Sequence, residues 1–192
     1  MFLPSHISLI LASKSPRRSY LLEQAGIPFT IRTTEVEEVY PPDTPVLKVA
    51  PYLARLKAEK STHLLQAPGE VLLTADSVVI VDDEIFGKPR DRDHAIETLS
   101  LLSGSRHTVV TGCCLKSAQK QLVFSSTAYV HMNVIRQDEI EAYVDTYQPY
   151  DKAGAYAIQE WIGLAKINRI EGTYPTIMGL PVDKVYERLL DF

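Results

Sequence analysis

Cysteine is almost missing from this chain. Only two occur in 192 residues, Cys113 and Cys114, and they are neighbours. Adjacent residues of a strand point to opposite faces. A disulfide between them would be strained, and no metal-ligand spacing is present. The five histidines are scattered, with no pair at ligand spacing, which speaks against a protein-built zinc site. This cysteine usage fits a reducing, cytoplasmic compartment. Long apolar runs are lacking too. No run reaches the roughly 18 residues that a transmembrane helix needs, so no membrane partner is expected. The opening MFLPSHISLILAS has no basic leader and no A-x-A site, which argues against a signal peptide. Basic charge is not in excess: 20 basic residues face 24 acidic ones, for a net charge of -4. A nucleic-acid coat protein is usually basic overall. The aromatic-basic platform on which single strands stack is also absent, so no nucleic-acid partner is expected. A small polyanionic ligand remains open, provided that the basic patch receiving it is local.

What is present is an ordinary globular composition, 45% hydrophobic, able to bury a core. The length fits one domain over 1–192, or two intimately joined lobes. There is no internal repeat. Strand and helix patterns alternate. Ser8–Ala12 reads as a strand, and Pro16–Gln24 as a helix ending at Gly26. Phe29–Thr33 reads as a second strand. Val46–Leu65 reads as a long helix whose regular part Pro51 should confine to its C-terminal side. Val71–Val81 is a strongly apolar strand that turns at Asp82-Asp83 into a short strand around Ile85-Phe86. Asp93–Ser103 is a helix stopped by Gly104. Thr108–Lys116 and Leu122–Val134 suggest a hairpin. Asp138–Val144 is a short helix, Leu164–Ile170 a strand, and Pro181–Leu190 a closing helix. Gly172–Pro181 reads as an ordered loop. Hairpins and crossovers together suggest an α/β or α+β fold with a mixed sheet and helices on its faces.

Three places carry chemistry. The first strand runs straight into S-K-S-P-R-R. Ser15 suits a helix N-cap and Pro16 the first helical position. Arg17 and Arg18 then stand in the first turn, where the helix dipole favours acids. A bound anion resolves that conflict, and phosphate matches guanidinium bidentately; a solvated arginine pair is the alternative. Asp76 lies in the middle of V-L-L-T-A-D-S-V-V-I-V. A buried carboxylate must be paired, protonated or metal-bound. It is therefore a base or metal ligand, or else a structural acid tied to a lysine. After the turn, F-G-K-P brings Lys88 back along the strand that bears Asp76. Glu35, Glu37 and Glu38 form an acidic turn, and Lys57 sits in the long helix with Arg55 and Lys60. Arginines on a helix N-terminus, a strand Asp, two lysines and an acidic turn together describe a site for a divalent cation and a polyphosphate. Finally, Asp151-Lys152-Ala153-Gly154-Ala155-Tyr156-Ala157-Ile158-Gln159 has the small residues of a tight loop. Its Gln carries a donor and an acceptor, as a base edge does.

These runs resemble a known family. LASKSPRR, TADSVV, the G-K-P after it, LSGSRHTVVTG, DKAGAYAIQ and MGLP are similar, in order and spacing, to the Maf family of nucleoside-triphosphate pyrophosphatases. The resemblance spans about Leu9 to Leu190. It implies a Maf-type α/β fold like that of the inosine-triphosphate pyrophosphatases. This is a mixed twisted sheet with flanking helices and two lobes around a cleft that holds the site. It implies a divalent metal, Mg²⁺ or Mn²⁺, and a homodimer. The family's proton acceptor falls on Asp76. Its phosphate contacts fall on Ser13, Arg17, Arg18, Lys57 and Lys88, and its second metal-binding acid on Glu37. The specificity positions fall on Arg17, Ser77 and Gln159. DKAGAYAIQ resembles the branch acting on dTTP and UTP rather than the one acting on 7-methyl-GTP. Two residues depart from the pattern. Ser77 stands for the usual Thr and keeps its hydroxyl. Glu160 stands for the usual Gly and adds a charge beside Gln159, which opens the question of base preference. A nucleotide-sensing regulator of septum formation is the competing class.

Overall fold

A computed structural model describes Pro4 and residues 7–192; the leader expectation falls in part on residues outside these. Among the described residues the elements are β1 (Ser8–Leu11), α1 (Pro16–Gln24), β2 (Thr30–Ile31), α2 (Val46–Lys60), β3 (Glu70–Val81), β4 (Glu84–Phe86) and α3 (Arg92–Leu102). They continue with β5 (Arg106–Lys116), β6 (Gln121–Met132), α4 (Gln137–Tyr147), α5 (Trp161–Ala165), β7 (Ile167–Glu171), α6 (Tyr174–Met178) and α7 (Val182–Leu190). The strands form one sheet in the order β2-β1-β3-β5-β6-β7, with β4 paired to β3. β1 is parallel to both β2 and β3, whereas β4 is antiparallel to β3 and β7 to β6. This is the mixed α/β sheet that the sequence suggested. No helix among the described residues is long and apolar enough to cross a membrane.

Contacts divide the chain into two compact units. The first comprises Met1–Asp76, Thr111–Ser126 and Gly179–Phe192; the second comprises Ser77–Val110 and Thr127–Met178. In the first unit, α2 buries Val49, Ala50, Leu53, Ala54 and Ala58, the stripe expected of an amphipathic helix. Ala54 and Ala58 pack with Ile10, Leu72 and Cys114, and the Thr74 hydroxyl donates to the Ala54 carbonyl at 2.6 Å. In the second unit, Leu99 and Leu102 of α3 pack with Val109, Val130, Ile140, Tyr143, Val144 and Tyr156. Asp91 caps α3 by accepting from the His94 N–H at 2.8 Å. The Asp82-Asp83 turn has positive φ at both residues, 47° and 62°, as a two-residue hairpin of right-handed twist requires.

Several boundaries differ from expectation. Pro51 lies inside α2 and does not end it. A helical proline forfeits one i→i−4 bond, here to the carbonyl of Leu47, a residue that is half exposed and can turn its carbonyl to solvent. Tertiary packing outweighs the loss. Gly112 of β5 approaches so closely that a side chain there would meet backbone atoms of Ala50 and Pro51. Gly112→Ala is therefore expected to destabilise the protein by about 1–3 kcal/mol, read as a shift of the denaturation midpoint. Phe29–Thr33 shortens to the two residues of β2. Leu164 belongs to the short helix α5, and the strand starts only at Ile167. The loop after Gly172 contains a helical turn, α6. Both are single turns, too short for apolar periodicity to reveal. Cys113 and Cys114 are free and buried, and burial pushes both thiols up to about 12.

Candidate active site

The first unit assembles most of the expected residues. α1 begins with Ser15 as N-cap and Pro16 in its first turn, and no acidic side chain occupies that turn. Its dipole makes the end receptive to an anion. Leu21 and Leu22 are the buried residues of α1. Arg17 and Arg18 stand one turn earlier on the same face, which holds both partly inside. Arg18 is anchored at both ends of the chain. Its Nη1 donates to Ser13 Oγ at 3.0 Å and its Nε to the Gly179 carbonyl at 3.0 Å. Ser13 Oγ also accepts from the Ser15 N–H at 3.2 Å, which shapes the turn into the helix. These bonds take two of the five donors of a guanidinium. Burial lowers the pKa of Arg18, while the nearby charge of Asp76 raises it.

Asp76 is buried in β3 at 7% exposure. Its Oδ1 accepts from Lys57 Nζ at 2.5 Å. Lys57 follows Ala50 by seven residues and Leu53 by four, so it lies on the core-facing stripe of α2 and its ammonium is aimed inward. The same Nζ lies 2.8 Å from Glu38 Oε1. One ammonium thus holds two carboxylates. Burial pushes the Asp76 carboxyl above the ordinary range, while Lys57 and then Arg18 pull it back. At the other end of the acidic turn, Glu35 pairs with Lys14 at 3.0 Å. Glu37 is exposed. Spacing alone does not separate Glu37 from Glu38, because an irregular turn has no period.

The second unit carries the others. Ser77 follows Asp76 along β3 and is partly buried; Lys88, two residues beyond β4, is exposed. The Asp151–Gln159 run docks on the same segment. The Gly154 N–H donates to the Gly87 carbonyl at 3.1 Å. Gly154 has φ of +71°, and a side chain there would press on Val79. Tyr156 is anchored by His107, whose Nε2 lies 2.7 Å from the Tyr156 hydroxyl. Burial holds the His107 imidazole down at about 4, so it is neutral. Gln159 Oε1 is buried without a hydrogen-bond partner among the described residues. An unpaired buried acceptor costs about 1–3 kcal/mol, which a donor on a ligand recovers. Sequence reasoning named Glu38 only as one acid of the turn, and it passed over His107 and Tyr143. Only the H of LSGSRHTVVTG, a histidine inside an apolar strand, carried a signal of its own.

With this geometry, the likenesses to known proteins acquire a meaning. The description of Maf-like proteins matches residues 8–192. The chain belongs to the Maf family. Among the relatives of this Maf chain, the dTTP/UTP pyrophosphatase of Bacteroides thetaiotaomicron is 44% identical over 182 residues, 94% of each chain. That of Porphyromonas gingivalis is 44% identical over 96% of this chain and 94% of its own. That of Flavobacterium psychrophilum is 41% identical over 95% and 93%. The Staphylococcus aureus Ham1 protein gives a partial likeness, with a TM-score of 0.47 and 16% identity over 65% of this chain and 71% of that one.

Proposed function

We propose that this Maf chain is a pyrophosphatase that hydrolyses dTTP and UTP to the nucleoside monophosphate and diphosphate. The observation that carries the chemistry is the buried Asp76 carboxylate, held by Lys57 within reach of the charge of Arg18, on the unit that also presents the α1 N-terminus. The substrate class is supported by the names of relatives more than 40% identical over nearly the whole length.

In this reading, Arg17, Arg18, Lys57 and the N-terminal dipole of α1 bind and neutralise the phosphates, with Ser13 fixing the turn that presents them. Lys88 is assigned to the phosphates and Gln159 to the base. Asp76, once ionised, orients a water for attack on the α-phosphorus and takes its proton. The diphosphate leaves with the electron pair of the broken P–O bond. Much of the acceleration comes from positioning and charge stabilisation. The residues also fit a divalent cation. Asp76 and Glu38 both converge on the Lys57 ammonium, so two hard oxygens already share one positive charge. Among the described residues, no group of three or more acids, histidines or cysteines could hold a metal. Mg²⁺ commonly takes one or two carboxylates and completes its shell with water and substrate phosphates. Asp76 would hold it together with an acid of the turn, Glu37 by resemblance and Glu38 by its place on Lys57. When bound, it neutralises the triphosphate and the leaving group. The same proposal places the enzyme in the cytoplasm, supported by the free buried thiols, and as a homodimer, which sedimentation checks.

The test is a panel of canonical and modified nucleoside triphosphates with Mg²⁺ or Mn²⁺. Diphosphate release from dTTP and UTP is expected. Orthophosphate release, or preference for another base, would overturn the reading.

A further inference from the structure

Glu160 adds a carboxylate directly after Gln159, yet that charge is already engaged. Glu160 Oε2 accepts from the Tyr143 hydroxyl of α4. Glu160 Oε1 lies 3.4 Å from Lys152 Nζ, which also contacts Asp151 Oδ1 at 2.8 Å. Lys152 is 8% exposed, and a lysine is rarely so buried unless paired. The Tyr143 hydroxyl has a second task, accepting from the Ala157 N–H at 3.2 Å. One hydroxyl and one carboxylate therefore hold residues 152, 157 and 160, on both sides of Gln159. The run is held against its local preference, since Ala155 has φ of 59°, a left-handed conformation that a residue with a side chain adopts only when its surroundings impose it.

Such a hold has a chemical use. A glutamine amide presents an acceptor beside a donor, and turning it over exchanges the two. Uracil and thymine offer an N–H donor at N3 flanked by carbonyl acceptors. Cytosine offers an acceptor at N3 and an amino donor beside it. A Gln159 free to turn would serve all three bases. Discrimination needs the amide fixed in one sense, so that the wrong base leaves buried polar groups unpaired.

We propose that Tyr143, Glu160 and Lys152 form a clamp that fixes the backbone at Gln159, so that Glu160 is a positioning residue that sets preference for uracil and thymine over cytosine. This rests on the dTTP/UTP reading above. The clamp turns an apparent liability, an added charge at the base site, into a charge consumed inside the protein.

The experiment measures kcat and KM on UTP and CTP for the wild type, Glu160→Ala, Tyr143→Phe and Glu160→Gln. Misplacement of a binding group by about an ångström can cost roughly a hundredfold. The UTP-over-CTP ratio of kcat/KM is expected to fall by about tenfold to a hundredfold in Glu160→Ala and Tyr143→Phe, mainly through KM for UTP. Glu160→Gln, which keeps an acceptor for the Tyr143 hydroxyl, should restore most of the ratio. A ratio unchanged in Glu160→Ala and Tyr143→Phe, or an equal loss on both substrates, overturns the clamp. Should Glu160→Ala fail to fold, as judged by its thermal midpoint, Tyr143→Phe and Glu160→Gln decide by the same criteria. A wild type releasing no diphosphate from UTP overturns the substrate reading instead. In that event the clamp is still tested by amide exchange, and an Ala157 N–H equally protected in Glu160→Gln, Tyr143→Phe and the wild type overturns it.

Discussion

Asp76→Asn is expected to abolish measurable turnover while nucleotide binding stays near that of the wild type. The amide has the size of the carboxylate and can still meet Lys57, which keeps Glu38 as a partner. What is lost is the basic oxygen, and loss of a general base costs about 10²–10⁴-fold. Diphosphate release and equilibrium binding of UTP, measured together, separate the two effects. Turnover near that of the wild type would remove Asp76 from its role. A pH series adds a second signature. Burial raises the Asp76 pKa, so between the ordinary carboxylate value and the raised one the folded state holds more protons than the unfolded state. Stability then falls as pH rises through that window. Asp76→Asn lacks this fall. For the same reason, the acid limb of kcat/KM in the wild type should lie above the ordinary carboxylate range.

Lys57→Met is expected to produce the largest loss of stability. Methionine keeps much of the apolar stem of lysine and removes the ammonium. Side-chain exposures are 16% for Lys57 and 9% for Asp76, so the pair is largely buried. Removing one partner leaves the other charge uncompensated, which costs about 3–5 kcal/mol. The lower end applies because Arg18 still acts on Asp76. The sign with pH is defined. Without Lys57, the Asp76 carboxyl rises further, so the penalty is complete above that raised value and disappears below the ordinary carboxylate range, where Asp76 is protonated. Denaturant titrations at neutral and acid pH check this. An equal loss at both would assign the effect to packing alone. Turnover should fall with stability, since the proposed site uses the same ammonium to meet the phosphates.

Much of this was legible in the chain itself. The bounds of α1 follow from Ser15, Pro16 and Gly26, because each residue has one local conformation to satisfy. Asp76 stood out because an acid in a twelve-residue apolar strand needs a partner wherever the strand is buried. Its partner was less legible. Lys57 and Asp76 are nineteen residues apart, and only the inward face of α2 brings them together. Arg18 reads from sequence as a phosphate contact, but two of its donors serve the fold through Ser13 and a carbonyl 161 residues away. Glu160 read as a charge added to the base site, and its bond to Tyr143 from another helix alters that meaning. Pro51 misled for the opposite reason. Its local rule is sound, but Gly112 packs against that turn from a strand with no sequence proximity.

The two neighbouring cysteines have a practical side. Both are buried, and burial pushes their thiols up to about 12. Maleimides and disulfide reagents are attacked by the thiolate, so at neutral pH the native pair leaves them untouched. A cysteine introduced at an exposed position such as Glu97 or Glu187 would take a dye or spin label on an otherwise unaltered chain. The native thiols need not be removed, and the core around Cys114 need not be repacked to report on the protein at work.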